Sequence, residues 1–167
     1  PGVWGSEMTC NAGCSDGACN DPDGAGDTCS DTIDATPLVS SPGTTTLTGN
    51  LGDYTHHIEE GSSPCPNENL ITVADLSGPD VIYTLDMEDG DEVTATMEID
   101  GDVDPAVIIQ PGCTNLNDTC YEAYADYLGD GSAEASHTAS QDETVYIVAD
   151  SDSNVADDDY TLELDIE

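Results

Sequence analysis

This sequence contains 37 Asp and Glu residues but no Lys and no Arg, so three His are its only basic side chains. A typical domain is about 25% charged residues of both signs, which predicts roughly 15–20 basic residues in a chain of this length. A compact body with a formal net charge of −37 repels itself. Two conditions reduce this repulsion: a high salt concentration, which shortens the Debye length to about 3 Å at 1 M, and the binding of cations. The chain must therefore fold with positive charge taken from its surroundings.

The absence of Lys and Arg also excludes some classes of binding partner. Nucleic-acid binding depends on Lys and Arg contacts with phosphate, and docking on anionic lipid depends on basic clusters. The chain offers no site to trypsin-like proteases, which suits an exposed, long-lived extracellular protein. It contains no signal peptide and no apolar run that could span a membrane. We therefore expect a mature chain or a piece of a longer one, without membrane insertion.

Aspartates concentrate in three clusters that are candidate metal sites. Carboxylates are hard oxygen ligands that suit Ca²⁺ or Mg²⁺ better than zinc or copper, and we expect Ca²⁺. The run DGDVD lacks the Glu that closes an EF-hand loop, so the hypothesis is a turn-bound ion. The alternative is that these turns use Asp to cap backbone N–H groups. The candidate ligands are Asp21, Asp23 and Asp27, then Asp100, Asp102 and Asp104, and finally Asp150, Asp152, Asp157, Asp158 and Asp159.

Seven cysteines, at positions 10, 14, 19, 29, 65, 113 and 120, lie near turn residues and form no zinc-binding spacing. Disulfides formed outside the cytosol are the natural interpretation, and the odd number leaves one thiol free or paired with another chain. Residues 1–28 hold three of these cysteines and almost no aliphatic pattern. We predict that residues 1–28 form an irregular, disulfide-rich extension and that residues 29–167 form the folded domain.

From about Thr44 onward, apolar and polar residues alternate with the period of half-buried antiparallel strands. Strands are predicted over 80–87, 92–99, 105–110, 143–149 and 160–166, with one or two weaker strands within 47–58. Another is predicted over 121–127, where a helix is the alternative. Asp89-Gly90 is a strong hairpin signal between the first two strands. The predicted inward residues of these two strands are Val81, Tyr83, Leu85, Met87, Val93, Ala95, Met97 and Ile99.

Seven to nine strands joined by Gly, Asp and Pro turns predict an all-β antiparallel sandwich. The run GPDVIY at 78–83, Asp104-Pro105 before an apolar strand, and the closing YTL at 160–162 occur in a characteristic order. In that order they resemble the bacterial pre-peptidase C-terminal domain family over about residues 27–167, with the closest likeness to secreted myxobacterial versions. The resemblance implies a jelly-roll-like β-sandwich without a catalytic centre, carried by exported peptidases or surface proteins. Some members bind Ca²⁺ or polymers such as collagen.

The resemblance also implies a disulfide pattern, in which Cys29 pairs with Cys65 and Cys113 pairs with Cys120. The Cys-x3-Cys-x4-Cys run at 10–19 looks like the Cys/Gly-rich linkers that precede such domains. The later cysteines of those linkers are missing here, so one cysteine of this run has no partner within the sequence. A bond to another subunit or to a further segment is the hypothesis.

No residue pattern typical of a catalytic site occurs, and neither Gly-x-Ser-x-Gly nor His-Glu-x-x-His is present. His56 and His57 are adjacent, so on a strand they face opposite sides and cannot chelate one ion together. These two and His137 are predicted to be surface or turn residues. Three tyrosines either stack on carbohydrate or, as we expect, pack in the core or at an edge: Tyr121, Tyr124 and Tyr127.

Two functions fit these features. We expect a non-enzymatic extracellular structural protein that assembles with copies of itself into a surface or filamentous matrix, stabilised by Ca²⁺ and disulfides. In this hypothesis, residues 1–28 add a strand to a neighbour's open edge. The alternative is a Ca²⁺-binding module of a secreted peptidase or adhesin that holds an extracellular polymer or a cell surface.

Overall fold

The computed structural model describes residues 25–39, 42–58, 78–99, 103–113, 120–123, 131–151 and 158–167 in full, and only the backbone of strand positions 14–15, 18–19, 68–69 and 124–125. No helix within these ranges is long and apolar enough to cross a membrane. One short 3-10 helix spans Leu51–Asp53. The strands are β1 (Cys14–Ser15), β2 (Ala18–Cys19), β3 (Ile33–Asp34), β4 (Gly43–Asn50), β5 (Glu68–Asn69), β6 (Val81–Met87), β7 (Glu92–Ile99), β8 (Pro105–Gln110), β9 (Glu122–Ala125), β10 (Ser132–Thr138), β11 (Glu143–Ser151) and β12 (Asp159–Ile166).

Two sheets form the body of the molecule. The first has four strands in the order β10-β7-β12-β4, the second has six in the order β3-β6-β11-β8-β9-β5, and β1 pairs with β2 separately. The longer strands pair antiparallel, whereas β3 with β6 and β5 with β9 are parallel pairs of two residues each. The prediction of an all-β sandwich is confirmed. The short parallel pairs, at the two edges of the second sheet, are additions that the prediction does not contain.

The core lies between the sheets and is built from alternate residues of each strand. All eight inward residues predicted for β6 and β7 are buried in it. Tyr83 on β6 and Tyr160 on β12 meet across the core, with their hydroxyl oxygens 2.5 Å apart. Gly49 on β4 faces Tyr160, and a Cβ at Gly49 would lie 2.7 Å from the Tyr160 ring. The absence of a side chain there makes room for the inter-sheet tyrosine pair.

The turn between β6 and β7 forms as predicted, but the hairpin does not. The N–H of Asp91 donates to the carbonyl of Glu88 at 3.1 Å, and Gly90 has a φ of +98°. However, β6 lies in the six-stranded sheet and β7 in the four-stranded sheet, so the strands flanking the turn do not pair. The hairpin prediction is wrong because both strands turn their apolar faces to the shared core, and the turn carries the chain across it.

The other predicted strands agree with the structure, since 105–110, 143–149 and 160–166 correspond to β8, β11 and β12. The segment 121–127 contains β9, a strand and not a helix. Within 47–58 the structure has the end of β4 and the 3-10 helix. Strand β10 is not predicted, because its buried Ala133 and Ala135 are too small to give a clear hydrophobic alternation.

A second apolar cluster covers the outer face of the six-stranded sheet. It contains Ile82, Ile108 and Val148, and the half-buried Cys29 and Cys113 pack against it. The chain around Cys29 and around Ile58 covers this outer cluster.

Cys29 and Cys113 form a disulfide, and Cys120 is disulfide-bonded as well. The predicted pairs of Cys29 with Cys65 and of Cys113 with Cys120 are therefore wrong. Cys29 and Cys113 both pack against the outer cluster, and Cys113 follows the end of β8 by three residues, so the fold brings these two distant cysteines together. Spacing along the chain does not reveal this proximity. The predicted boundary at residue 28 stays a prediction.

We expect replacement of both Cys29 and Cys113 by Ser to lower the free energy of unfolding by about 2–5 kcal/mol, because the disulfide closes a long loop and restrains the unfolded chain. Urea denaturation measures this change. Because trypsin has no site, non-reducing digestion with an Asp- or Glu-specific protease is needed to map the bond. A recovered Cys29–Cys65 peptide would contradict the pairing.

Candidate metal centre

Two carboxylates face each other where β6 begins and β11 nears its end. Val81 pairs with Ala149 in this antiparallel ladder, so Asp80 and Asp150, one position beyond, also lie opposite each other. Residues two positions further along each strand belong to the outer cluster, and strand alternation therefore puts both carboxylates on the outer face. Both residues are 0% exposed. Like charges directly opposite each other destabilise a sheet, so this pair requires a neutralising partner.

Each carboxylate has one hydrogen-bonded oxygen and one that no residue in the described part of the chain satisfies. Asp80 Oδ2 accepts from the N–H groups of His57 and Ile58 at 2.7 and 2.8 Å, and Asp150 Oδ1 accepts from the N–H of Ser151 at 2.6 Å. Asp80 Oδ1 and Asp150 Oδ2 are buried and accept no hydrogen bond from the described residues. An unsatisfied buried polar atom costs about 1–3 kcal/mol, and more when charged. These two oxygens therefore call for a proton or a cation.

His56 lies beside the two carboxylates. Within the described part of the chain, His56, Asp80 and Asp150 form the one group of three or more possible ligand residues whose ligand atoms all lie within 4.8 Å of one another. His56 Nδ1 is 3.1 Å from the carbonyl oxygen of Gly78 and 3.8 Å from Asp80 Oδ2. A carbonyl only accepts, so Nδ1 carries the proton and donates to Gly78. Protonated Nδ1 cannot bind metal, but Nε2 then keeps its lone pair, so the possible ligand atoms are the carboxylate oxygens and His56 Nε2.

The segment 55–58 covers the carboxylate pair and is held in place by two aspartates. Asp27 Oδ1 accepts hydrogen bonds from the N–H and the hydroxyl of Thr55, the latter at 2.8 Å. At the other end of the segment, Asp80 accepts the two N–H groups described above. The position of this covering segment thus depends on the ionisation of Asp80.

Burial raises the pKa of both buried carboxyl groups. Loss of hydration has the largest effect on the pKa of Asp80, and the N–H groups of Ile58 and His57 oppose it. Burial also raises the pKa of Asp150 well above 3.8, and the nearby Asp80 charge raises it further. The pair titrates as a coupled unit. Without a cation it keeps a proton at pH values where an exposed Asp is ionised.

The geometry fits a hard cation. Ca²⁺ binds oxygen ligands at about 2.3–2.6 Å, so one oxygen from each carboxylate can reach a single ion when the two lie within 4.8 Å of each other. Copper and zinc favour imidazole or thiolate ligands, whereas two of the three possible ligand residues here are carboxylates. The arrangement therefore favours Ca²⁺ or Mg²⁺.

The structure brings one predicted ligand, Asp150, into this site. Asp27 accepts hydrogen bonds from the N–H and the hydroxyl of Thr55, and Asp159 on β12 accepts one from the side-chain amide of Asn50. The described ligand candidates outside the group are Asp27, Asp104, Asp158 and Asp159. Those outside the described residues, whose roles stay predictions, are Asp21, Asp23, Asp100, Asp102, Asp152 and Asp157.

Asp80 and His56 are not predicted from the sequence as members of the site. Asp80 is predicted only as part of the run GPDVIY and of the strand 80–87, and His56 only as a surface or turn residue. The sequence pattern does place both aspartates on the outward-facing side, because Asp80 and Asp150 each continue the alternation of an apolar strand. The pattern indicates a shared site only when β6 and β11 are known to pair, and nothing local in the sequence specifies that pairing.

A second polar cluster ties the two sheets together. Tyr121 and His137 stack with ring centroids 3.7 Å apart, and Glu143 accepts from the Tyr121 hydroxyl at 2.6 Å and lies 2.9 Å from His137 Nε2. Hydrogen bonds from Tyr121 and His137 lower the pKa of Glu143. Burial and the bond to Glu143 raise the pKa of Tyr121 to about 12. Tyr121 therefore packs, as expected, whereas His137 is a largely buried strand residue and not the predicted surface or turn residue.

Comparisons with known proteins find similar folds at low identity. No family model and no curated protein matches the chain. Solved structures that are similar include the pre-peptidase C-terminal domain of a collagenase from Bacillus anthracis, with 14% identity, a TM-score of 0.43, and coverage of 74% of this chain and 89% of that one. PliG, a periplasmic inhibitor of g-type lysozyme from Aeromonas hydrophila, has 14% identity, a TM-score of 0.46, and coverage of 81% and 96%.

A third similar structure is CorA, a surface-associated copper-binding protein of Methylomicrobium album BG8, with 9% identity, a TM-score of 0.42, and coverage of 81% and 96%. At these identities and TM-scores, the three likenesses assign neither a family nor a ligand to this chain. Membership of the pre-peptidase C-terminal domain family stays a prediction from the sequence resemblance.

In calcium-free buffer, we expect the free energy of unfolding to fall as the pH rises from about 4 through the raised pKa of the pair. The folded chain then holds a proton that the unfolded chain has released, so ionisation favours unfolding. Asp150→Asn removes one titrating group and should make the fall shallower, by up to about 1.4 kcal/mol per pH unit. Urea denaturation in EDTA between pH 4.5 and 8 measures both slopes. Equal slopes for the two proteins would contradict a shared proton.

Proposed function

We propose that this chain is a non-enzymatic β-sandwich module that works outside the cytosol and binds Ca²⁺ at Asp80 and Asp150. The observation that carries the proposal is the pair of buried carboxylate oxygens that have no hydrogen-bond partner among the described residues, in a chain with no Lys or Arg to neutralise them. A divalent cation compensates both carboxylates. It also keeps Asp80 ionised, which strengthens the bonds from His57 and Ile58 that fix the covering segment.

Two features support an extracellular, structural role. The Cys29–Cys113 disulfide is typical of oxidising compartments. Asp80 and Asp150 are 0% exposed, so a substrate does not reach them, whereas the paired acids of a hydrolase lie in an open pocket. A buried ion at this position stabilises the fold and its covering loops.

We further propose that copies of this module assemble into a surface or filamentous matrix, with Ca²⁺ bridging their acidic faces. The outer face of the four-stranded sheet supports this, because it carries exposed Glu98, Glu134 and Glu163. Two such faces repel each other unless cations lie between them. The alternative, a module that attaches a secreted peptidase or adhesin to an extracellular polymer, uses the same ion and predicts polymer binding in place of self-association.

Ca²⁺ at 100 times its dissociation constant should stabilise the wild-type chain by about 2.7 kcal/mol and should not stabilise Asp80→Asn or Asp150→Asn. In EDTA, Asp150→Asn should be at least as stable as the wild type, because its amide takes the place of the shared proton. Thermal and urea unfolding with EDTA or CaCl₂ measure both effects, and parallel titrations with MgCl₂ identify the preferred ion.

Asp89→Asn is the matched control for these variants. It removes one negative charge from an exposed turn and keeps a residue type that turns accept, so its stabilisation by Ca²⁺ should equal that of the wild type. Full stabilisation of the Asp80 and Asp150 variants would place the ion elsewhere and overturn this site.

Chelation should also reverse the proposed assembly. We expect EDTA to convert large particles to small oligomers, and CaCl₂ to restore them where NaCl of equal ionic strength does not, because only a divalent ion bridges two carboxylate faces. Dynamic light scattering follows the particle size. An unchanged size in EDTA at low salt would rule out the calcium bridge, and retention of the chain on collagen or polysaccharide beads would favour the binding-module alternative.

A further inference from the structure

Strand β4 is an edge of the four-stranded sheet, and its one strand partner is β12. Its eight residues, GTTTLTGN, include no acid, although acids make up over a fifth of the chain. Among the residues that the structure describes, the backbone of β4 makes no hydrogen bond outside its regular ladder with β12. Edge strands are usually protected from pairing by charges, Pro or a bulge. Strand β4 has none of these.

The other end of the same sheet is protected. Strand β10 contains the exposed Glu134, and the N–H of Ser136 on β10 donates to the Glu122 carboxylate on β9 at 2.7 Å. The six-stranded sheet ends in the two-residue strands β3 and β5. Within the described sheets of the sandwich, β4 is therefore the long edge that is left both uncharged and unprotected.

We propose that β4 pairs antiparallel with β4 of a second copy, so that the two four-stranded sheets join into one continuous sheet of eight strands. This inference rests on the self-association proposed above, and it names a contact that needs no bridging ion. Pairing of one strand with itself is isologous and closes at two copies. Larger assemblies then form from such dimers through the Ca²⁺-bridged faces.

Charge makes β4 the place where two copies can touch. The nearest acids on the outer face belong to β12, and three strand spacings would separate the two β12 strands of a dimer, about 14 Å. This distance exceeds the Debye length of about 8 Å at physiological ionic strength. Two of these acids also bind side chains of β4, since Thr44 donates to Asp165 and Asn50 donates to Asp159, both at 2.9 Å.

The side chains of β4 suit a strand that gains a second partner. Thr44, Thr46 and Thr48 are exposed on the outer face, and β-branched residues favour the extended backbone of a paired strand. In an antiparallel β4 dimer these threonines would lie close to the threonines of the partner copy, where hydroxyl pairs are favourable and like charges are not.

Sedimentation equilibrium of the full chain in EDTA tests the pairing. We expect a monomer–dimer equilibrium that strengthens as NaCl rises from 0.01 to 0.5 M, because salt screens the repulsion between copies. Thr46→Glu should weaken dimerisation at least tenfold by placing like charges near the two-fold axis. The matched control is Thr138→Glu, which adds the same charge to an exposed position on the protected edge strand β10 and should leave dimerisation unchanged.

A charge swap separates pairing from loss of fold. Thr46→Lys and Thr46→Glu chains should each dimerise poorly alone, and an equimolar mixture should recover a dimer, because opposite charges then face each other across the strand pair. Thermal unfolding of each variant shows whether it is folded. A misfolded variant would not be restored by its oppositely charged partner.

Three results would overturn the proposal: a monomer in EDTA at every salt concentration, equal weakening by Thr46→Glu and Thr138→Glu, or a series of masses without a limit at the dimer. The last result would indicate head-to-tail pairing, as when the N-terminal extension of one copy adds to the next. Loss of all association in EDTA with recovery in CaCl₂ would support the calcium bridge and refute the β4 pair. A dimer that persists in EDTA, together with a particle size that does not respond to CaCl₂, would support the β4 pair and refute the calcium bridge.

Discussion

A chain without Lys or Arg can bury a carboxylate in few ways: it can give the oxygens backbone N–H groups, it can leave a proton on them, or it can hold a foreign cation. Asp80 uses two N–H groups and Asp150 uses one, and each keeps an oxygen that no described residue satisfies. Because the two side chains face each other on paired strands, one proton or one ion serves both. The occupant of this position determines whether the loop over the outer cluster is held firmly.

The outer face of the six-stranded sheet is the part of the fold that most depends on this site. The main core is stabilised by apolar packing and by the Tyr83–Tyr160 contact between the sheets. The outer cluster is smaller and is covered by irregular segments near Cys29 and 55–58. These segments are held by a disulfide and by carboxylate hydrogen bonds, in place of strand ladders. The disulfide and the proposed cation site therefore lie in the same layer.

Local patterns in the sequence are enough to locate most strands and the residues that face the core. The alternation in β6 and β7 identifies their buried residues, because strand period depends only on neighbouring positions. It does not identify partners: the turn at Asp89-Gly90 crosses between sheets, Cys29 bonds to Cys113, and Asp80 meets Asp150. The disulfide and the Asp80–Asp150 pair join distant parts of the chain, and single-sequence patterns carry no information about such proximity. Of the clustered aspartates that the structure describes, Asp150 alone belongs to the group of three possible ligand residues, and its partner Asp80 lies outside the three clusters.

The two ways in which we propose that this chain uses outside cations are physically separable. At the buried pair, the ligand oxygens lie within 4.8 Å of one another and away from water, so diffuse salt does not screen them and only an ion in direct contact neutralises them. At the β4 edge, the acids of neighbouring copies would remain more than a Debye length apart in physiological salt, so ordinary screening is sufficient. Under these two proposals, a specific divalent ion governs the stability of the single module, whereas ionic strength governs whether two modules can share an edge. In a chain with a few lysines, these side chains could neutralise the buried carboxylates and reduce the repulsion between copies. The stability and association of such a chain would then not depend on the ions in solution.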